Sequence, residues 1–144
     1  MKDRVLIGFI SGILAAMGAD IINWVLYCLN YTDMRFLDWA AVVFLGHLAT
    51  NLMEVIVMQI TQMIWDGVMG IVFIMIIPAI KSYGLVMKGV IFAFVLLFIF
   101  KGATVLFDLP DLKIISLETF LSNVFCTIIW GILVALIIKR FKAL

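Results

Sequence analysis

In a chain this apolar, the residues able to do chemistry are few enough to name. Asp20, Asn23, Gln59, Gln62, Asp66, Lys101 and Asn123 each sit inside a long hydrophobic run. Carboxylates, amides and an ammonium in such surroundings can hold a proton, coordinate a cation or hydrogen-bond a substrate. They can also pair with one another and fix helix register. Their charge sum is uneven, with two carboxylates against one ammonium. Either one carboxylic acid keeps its proton, or a proton or cation reaches the site.

Spacing gives these residues a common level. At about 1.5 Å per helical residue, Asp20 lies about 22 Å from Val5, and Asp66 about 18 Å from Pro78. By the same measure Lys101 lies about 18 Å from Gly89, and Asn123 about 22 Å from Ile138. Four runs thus each place one strongly polar residue in a single layer, slightly outward of a bilayer's centre. Gln59, Gln62 and Asp66 share an arc of about 60° on their helix. Asp20 borders a face made by Gly8, Gly12, Ala16, Ala19 and Asn23, whose small side chains let helices approach closely. Gly67 and Gly70 offer the same on the second run. A plainer reading of the same residues has Lys101 as an ion-pair staple to Asp66 or Asp20, with Asn23 and Asn123 as hydrogen-bonding glue. Lys101, six residues before Phe107, is also placed to reach outward.

A second polar group comprises His47, Asn51 and Glu54, which share one face if their helix is continuous. Two genuine ligands do not make a metal site, so a solvated or capping role is expected and no metal. Cys28 and Cys126 lie in apolar stretches and read as small buried hydrophobes. No nucleotide loop, Cys/His cluster, nucleophile elbow or H-E-x-x-H occurs, so no catalytic residue is nominated and no cofactor is expected. No basic tract invites nucleic acid. Phe92, Phe94, Phe98 and Phe100 read as a lipid-facing or interhelical surface.

The elements that must position these residues follow from composition. Of 144 residues, 67% are hydrophobic and 13% charged, against about 45–50% and about 25% in soluble domains. Mean hydropathy is +1.30. That excess belongs in lipid. Four runs are long enough for a hydrocarbon core of about 30 Å: residues 5–29, 52–80, 89–107 and 119–138. Backbone groups in lipid must be bonded within helices or a closed barrel, and the runs lack the alternation of barrel strands. The expected fold is an all-α membrane protein of one domain, four transmembrane helices in an antiparallel bundle.

Between the first two spans, Asn30–Asp33 reads as a turn and residues 37–47 as a short interfacial or re-entrant helix with Trp39 at headgroup depth. Thr50-Asn51 then caps the second span. The alternative is one long helix from Leu37 to Ile80. Lys81–Gly84 forms an inner loop after Pro78, and Asp108–Ser116 an outer one with Pro110. Lys2, Arg4 and Ala16-Met17-Gly18 have the layout of a secretory signal, but the apolar run continues to Leu29 and reads as a retained span. A repeat of two hairpins rests on Met1-Lys2 and Met87-Lys88 alone. Lys2, Arg4, Lys81, Lys88, Lys139, Arg140 and Lys142 gather on one side, with only Arg35 and Lys113 on the other. Both termini are therefore expected in the cytoplasm.

The Gly8-Phe9-x-Ser11-Gly12 opening, Leu37-Asp38-Trp39-Ala40 before the second span, and Pro110 before an amide-bearing fourth span give the chain a family likeness. It resembles uncharacterised four-span membrane proteins of Gram-positive, spore-forming bacteria, the YqhR-like type. The resemblance implies a bacterial cytoplasmic membrane and a four-helix fold, and brings no activity.

Three functions stay open on the sequence. The first is a non-enzymatic structural, assembly or accessory module, partnered by the lipid bilayer and by a second copy or another membrane protein through helix faces such as Gly8/Gly12. The second is a small oligomeric transporter or channel that uses the Asp/Lys/Asn cluster for a proton or cation. The third, a lipid-modifying intramembrane enzyme, has no nucleophile and base to name.

Overall fold

A computed structural model describes residues 3–80 and 84–141. Among them are five α-helices and no strand: α1 (Arg4–Cys28), α2 (Phe36–Leu45), α3 (Leu52–Ile76), α4 (Leu85–Leu106) and α5 (Leu117–Arg140). All but α2 are long and apolar enough to cross a membrane.

The helix ends follow from side chains that satisfy otherwise orphaned backbone N–H groups. Asp3 accepts from the amides of Val5 and Leu6 at 2.9 and 3.1 Å and starts α1. Asn51 accepts from the Glu54 amide at 2.9 Å and starts α3. Ser116 accepts from the Thr119 amide at 3.2 Å and starts α5. α3 ends in a 3-10 turn, Ile77–Ala79, that holds Pro78.

Two boundaries differ from expectation in an instructive way. α4 begins at Leu85, one turn before the expected Gly89. Gly89 is not a helix start; it lies inside α4, where its missing side chain lets α5 come close. α2 runs from Phe36 to Leu45 and stops at Gly46, whose φ of 80° is left-handed. That residue and the Asn51 cap break the chain between α2 and α3, which excludes one helix from Leu37 to Ile80. Of the expected inner loop, Lys81, Ser82 and Tyr83 lie outside the described residues, as do Lys2 and Lys142 from the basic tally.

Glycines set the closest helix contacts. A Cβ on Gly12 would collide with the Asp66 carbonyl oxygen, and one on Gly70 with the Gly8 carbonyl oxygen. The Gly8/Gly12 face of α1 is thus spent on the Gly67/Gly70 face of α3. Gly89 on α4 and Gly131 on α5 meet in the same way. α1 and α5 join through Trp130, whose Nε1 donates to the Gly12 carbonyl at 3.3 Å. Ala15, Ala16, Ala19, Phe73, Ile74 and Val134 complete the core.

The α3/α4 pair is different. Their backbones do not pack closely, and rings bridge them instead. Trp65 meets Phe100 edge-on at 5.5 Å, and Phe73 meets Phe92 at 5.3 Å. Of the four phenylalanines expected on a lipid-facing or interhelical surface, Phe92 and Phe100 lie between helices, while Phe94 and Phe98 are exposed.

Candidate functional site

The close α1/α3 contact brings the polar residues of both helices together one to three turns further along. Asp20 is buried, and its Oδ2 accepts from Gln59 Nε2 at 2.7 Å. Its Oδ1 accepts from Gln62 Nε2 at 3.1 Å. The same Gln62 nitrogen donates to Asp66 Oδ2 at 2.6 Å, so one amide spans both carboxylates. Gln59 also donates to Gln62 Oε1 at 2.9 Å, and Trp24 Nε1 donates to Gln59 Oε1 at 3.1 Å. Both glutamine N–H₂ groups are fully engaged. Among the described residues, Asp66 accepts a single bond, at Oδ2, and none at Oδ1.

Lys101 does not join this network. Its Nζ donates to the carbonyl oxygens of Leu112 at 2.6 Å and Lys113 at 2.9 Å, in the connection from α4 to α5. The staple to Asp66 or Asp20 is therefore not formed. The irregular backbone of that connection has carbonyls in need of donors, and a flexible four-carbon stem brings the ammonium to them. Among the described residues, the ion pairs are Arg35–Asp38 and Lys113–Asp108, so neither Asp20 nor Asp66 has a basic partner.

The two asparagines part company. Asn23 Oδ1 accepts from the Phe36 amide at 2.9 Å and ties α1 to the start of α2, away from the carboxylates. Asn123 on α5 is 1% exposed, and neither its Oδ1 nor its Nδ2 has a hydrogen-bond partner among the described residues.

A cavity of about 640 Å³ lies beside the network, on the side where α3 and α4 stand apart. Asp20, Gln62, Asp66 and Asn123 contribute to its wall, and Lys101 does not. The rest is mostly apolar and strongly aromatic. α2 supplies Phe36, Trp39 and Phe44, α3 supplies Trp65, α4 supplies Phe100 and Phe107, and α5 supplies Trp130. Such a chamber can hold an apolar body against a carboxylate floor.

His47, Asn51 and Glu54 do not share a helical face. His47 is exposed in the α2–α3 connection, where its Nδ1 donates to the Leu48 carbonyl at 2.8 Å. Glu54 Oε2 accepts from the amide and hydroxyl of Thr50 at 2.8 and 3.1 Å, while Asn51 caps α3. Thr50, Asn51 and Glu54 together close the start of α3, and His47 takes no part in it. Among the described residues, no three His, Cys, Asp or Glu side chains gather as metal ligands. Cys126 is buried as expected, but Cys28, at the end of α1, is exposed.

Sequence reasoning counted Arg35 as a flanking charge and Asp38 only within the Leu37-Asp38-Trp39-Ala40 motif, yet together they organise the α2 segment. Asp38 accepts from the Arg35 amide at 2.8 Å and from its Nε and Nη2 at 3.0 Å. Arg35 Nη2 also donates to the Ala49 carbonyl at 3.2 Å, drawing the far end of the connection inward. Its guanidinium lies over the rings of Trp24 at 5.2 Å and Tyr27 at 4.9 Å. Burial alone would lower the Arg35 pKa, but the hydrogen bonds and charge of Asp38 outweigh it, and the value sits above the ordinary one. The i, i+3 spacing of a basic and an acidic residue at a helix start was the available signal.

No protein-family pattern, curated protein or solved structure matches the chain.

Proposed function

We propose that the chain is a small membrane transport module that takes up a proton or cation at Asp20 and Asp66. In this reading the long helices form an antiparallel bundle in a bacterial cytoplasmic membrane, with both termini inside. α2 lies at the outer interface or dips into it. The YqhR-like resemblance belongs to the same proposal.

One observation carries it. Asp66 stands in the wall of a large cavity with one oxygen unbonded and no basic partner, next to a second carboxylate held by the same amide. Two adjacent carboxylates cannot both stay ionised in a low-dielectric layer without a compensating positive charge. A proton or a bound cation supplies that charge, and loading it from one side of the membrane and releasing it to the other is transport. A packing staple would need no chamber beside it.

The test is flux in vesicles containing the reconstituted protein, with a pH-sensitive dye inside and an imposed gradient. Wild-type protein is expected to pass protons, Asp66→Asn to stop them, and Asp66→Glu to restore part of the rate. Wild-type vesicles as tight as protein-free ones, across pH and with sodium and potassium gradients, would remove this reading.

A second reading, the non-enzymatic packing module, is favoured by the unbroken chain of hydrogen bonds from Trp24 through Gln59 and Gln62 to Asp66, which ties α1 to α3. It predicts that Asp66→Leu, which removes the acceptor for Gln62, lowers thermal stability in detergent, and that neither the wild-type protein nor Asp66→Asn passes protons.

A further inference from the structure

We propose that the cavity between α3 and α4 binds a lipophilic ammonium ion, the protonated amine of an amphipathic molecule that enters sideways from the bilayer. This rests on the reading of Asp20 and Asp66 as an ion-binding pair and names the ion.

The chemistry of the wall selects this ligand class. Two carboxylates without a basic partner exclude an anion, and a neutral molecule would leave their charge uncompensated. A bare metal ion is badly served, because hard cations ask for about six to eight oxygen ligands and this wall is largely hydrocarbon and ring. An R–NH₃⁺ group carries three donors and one charge on an apolar stem. One donor suits the free Oδ1 of Asp66.

Asn123 is the independent witness. It lies in the cavity wall, 1% exposed, with both amide heteroatoms unpartnered. Burying such a group unsatisfied costs about 1–3 kcal/mol, a cost that natural cores rarely leave standing. A ligand that donates to its Oδ1, reached by a turn of the amide toward the cavity, removes part of it. Trp39, Trp65, Phe100 and Phe107 line the same cavity and add aromatic surface for the ligand's apolar stem. The volume of about 640 Å³ falls within the range of about 300–1,000 Å³ typical of small-molecule sites. The way in is lateral, since the α3 and α4 backbones stay apart and the Trp65–Phe100 ring pair bridges the gap. A free amine and the amine headgroup of an aminolipid present the same chemistry.

The experiment uses the full chain in phosphatidylcholine nanodiscs, titrated with dodecylamine and followed by tryptophan fluorescence and calorimetry against protein-free discs. Dodecanol and dodecanoate serve as length-matched neutral and anionic controls. Saturable binding of the amine alone is expected, weakened on the order of tenfold or more by Asp66→Asn through loss of the charge partner. Asn123→Leu keeps both carboxylates and is expected to weaken the amine several-fold, which keeps the test alive if Asp66→Asn does not fold. Phe98→Leu, on the outward face, is expected to leave binding unchanged. Identical isotherms for amine and alcohol would overturn the proposal. So would amine binding that survives unaltered in the Asp20→Asn/Asp66→Asn double variant.

Repeating the titration in discs doped with phosphatidylethanolamine assigns the source. Competition identifies a headgroup amine and its absence a free one, and either upholds the ammonium. Amine-specific binding by a protein that moves no protons would sink the transport reading and leave this one standing. Proton flux lost in Asp66→Asn without amine-specific binding would do the reverse.

Discussion

Replacing Asp66 by Asn removes a charge while keeping the side chain's shape, so its effect on flux reads out the ionisable group and not the packing around Gln62. Asn123→Leu probes the opposite case. The amide has no partner, so an isosteric apolar side chain is expected to raise stability by about 1–2 kcal/mol, seen as a higher Tm in detergent, while ligand binding falls. A stabilising substitution that costs binding marks a residue kept for something other than the fold. The level of Asp20 and Asp66 was legible from counting residues along helices, because a helix has a fixed rise. The partner of Lys101 was not, because an ammonium on four methylenes can reach any carbonyl within its arc, and sequence does not say where a loop's carbonyls point.

At the scale of elements, glycine contacts and capping side chains make separable predictions. Gly12→Val drives two methyl groups into the α3 backbone and is expected to cost about 1–3 kcal/mol or more. Gly102→Ala meets open space and is expected to leave Tm unchanged or slightly raised. Thermal unfolding of the two variants in one detergent checks the contrast. Arg35→Lys keeps the charge but loses the planar fork that grips Asp38 and Ala49, so amides of residues 36–45 are expected to exchange hydrogen faster. The four long helices were legible within about one turn from apolar length alone. Gly89 misled because a glycine at a contact and a glycine at a helix end look alike in sequence. The break between α2 and α3 was undecided for the same reason: only the left-handed φ of Gly46 separates a stop from a packing site.

The whole molecule consists of two tightly sealed pairs, α1 with α3 and α4 with α5, joined where α1 meets α5. Sequence pattern gives which face of a helix is small or polar, but not which two faces remain apart, so the cavity was beyond its reach. The outward surface carries large apolar side chains such as Phe98 and Leu106, 77% and 78% exposed, which suits lipid as the surrounding medium. Among the described residues, the α2 segment and the connections are what lies outside the long apolar helices.

The loose seam between α3 and α4, bridged by aromatic rings, leads elsewhere. A structure bound firmly along one spine, with two covers that merely touch, is held shut partly by whatever presses on it from outside. In the proposed membrane setting, acyl chains would do the pressing. Stretching or compressing the bilayer should therefore set how quickly a guest leaves, with no binding site needed for the regulator. Dodecylamine release, timed by stopped flow in short-chain and long-chain phosphatidylcholine discs, is expected to differ between the two. Equal rates would mean that the aromatic clasp, and not the lipid, keeps the covers closed.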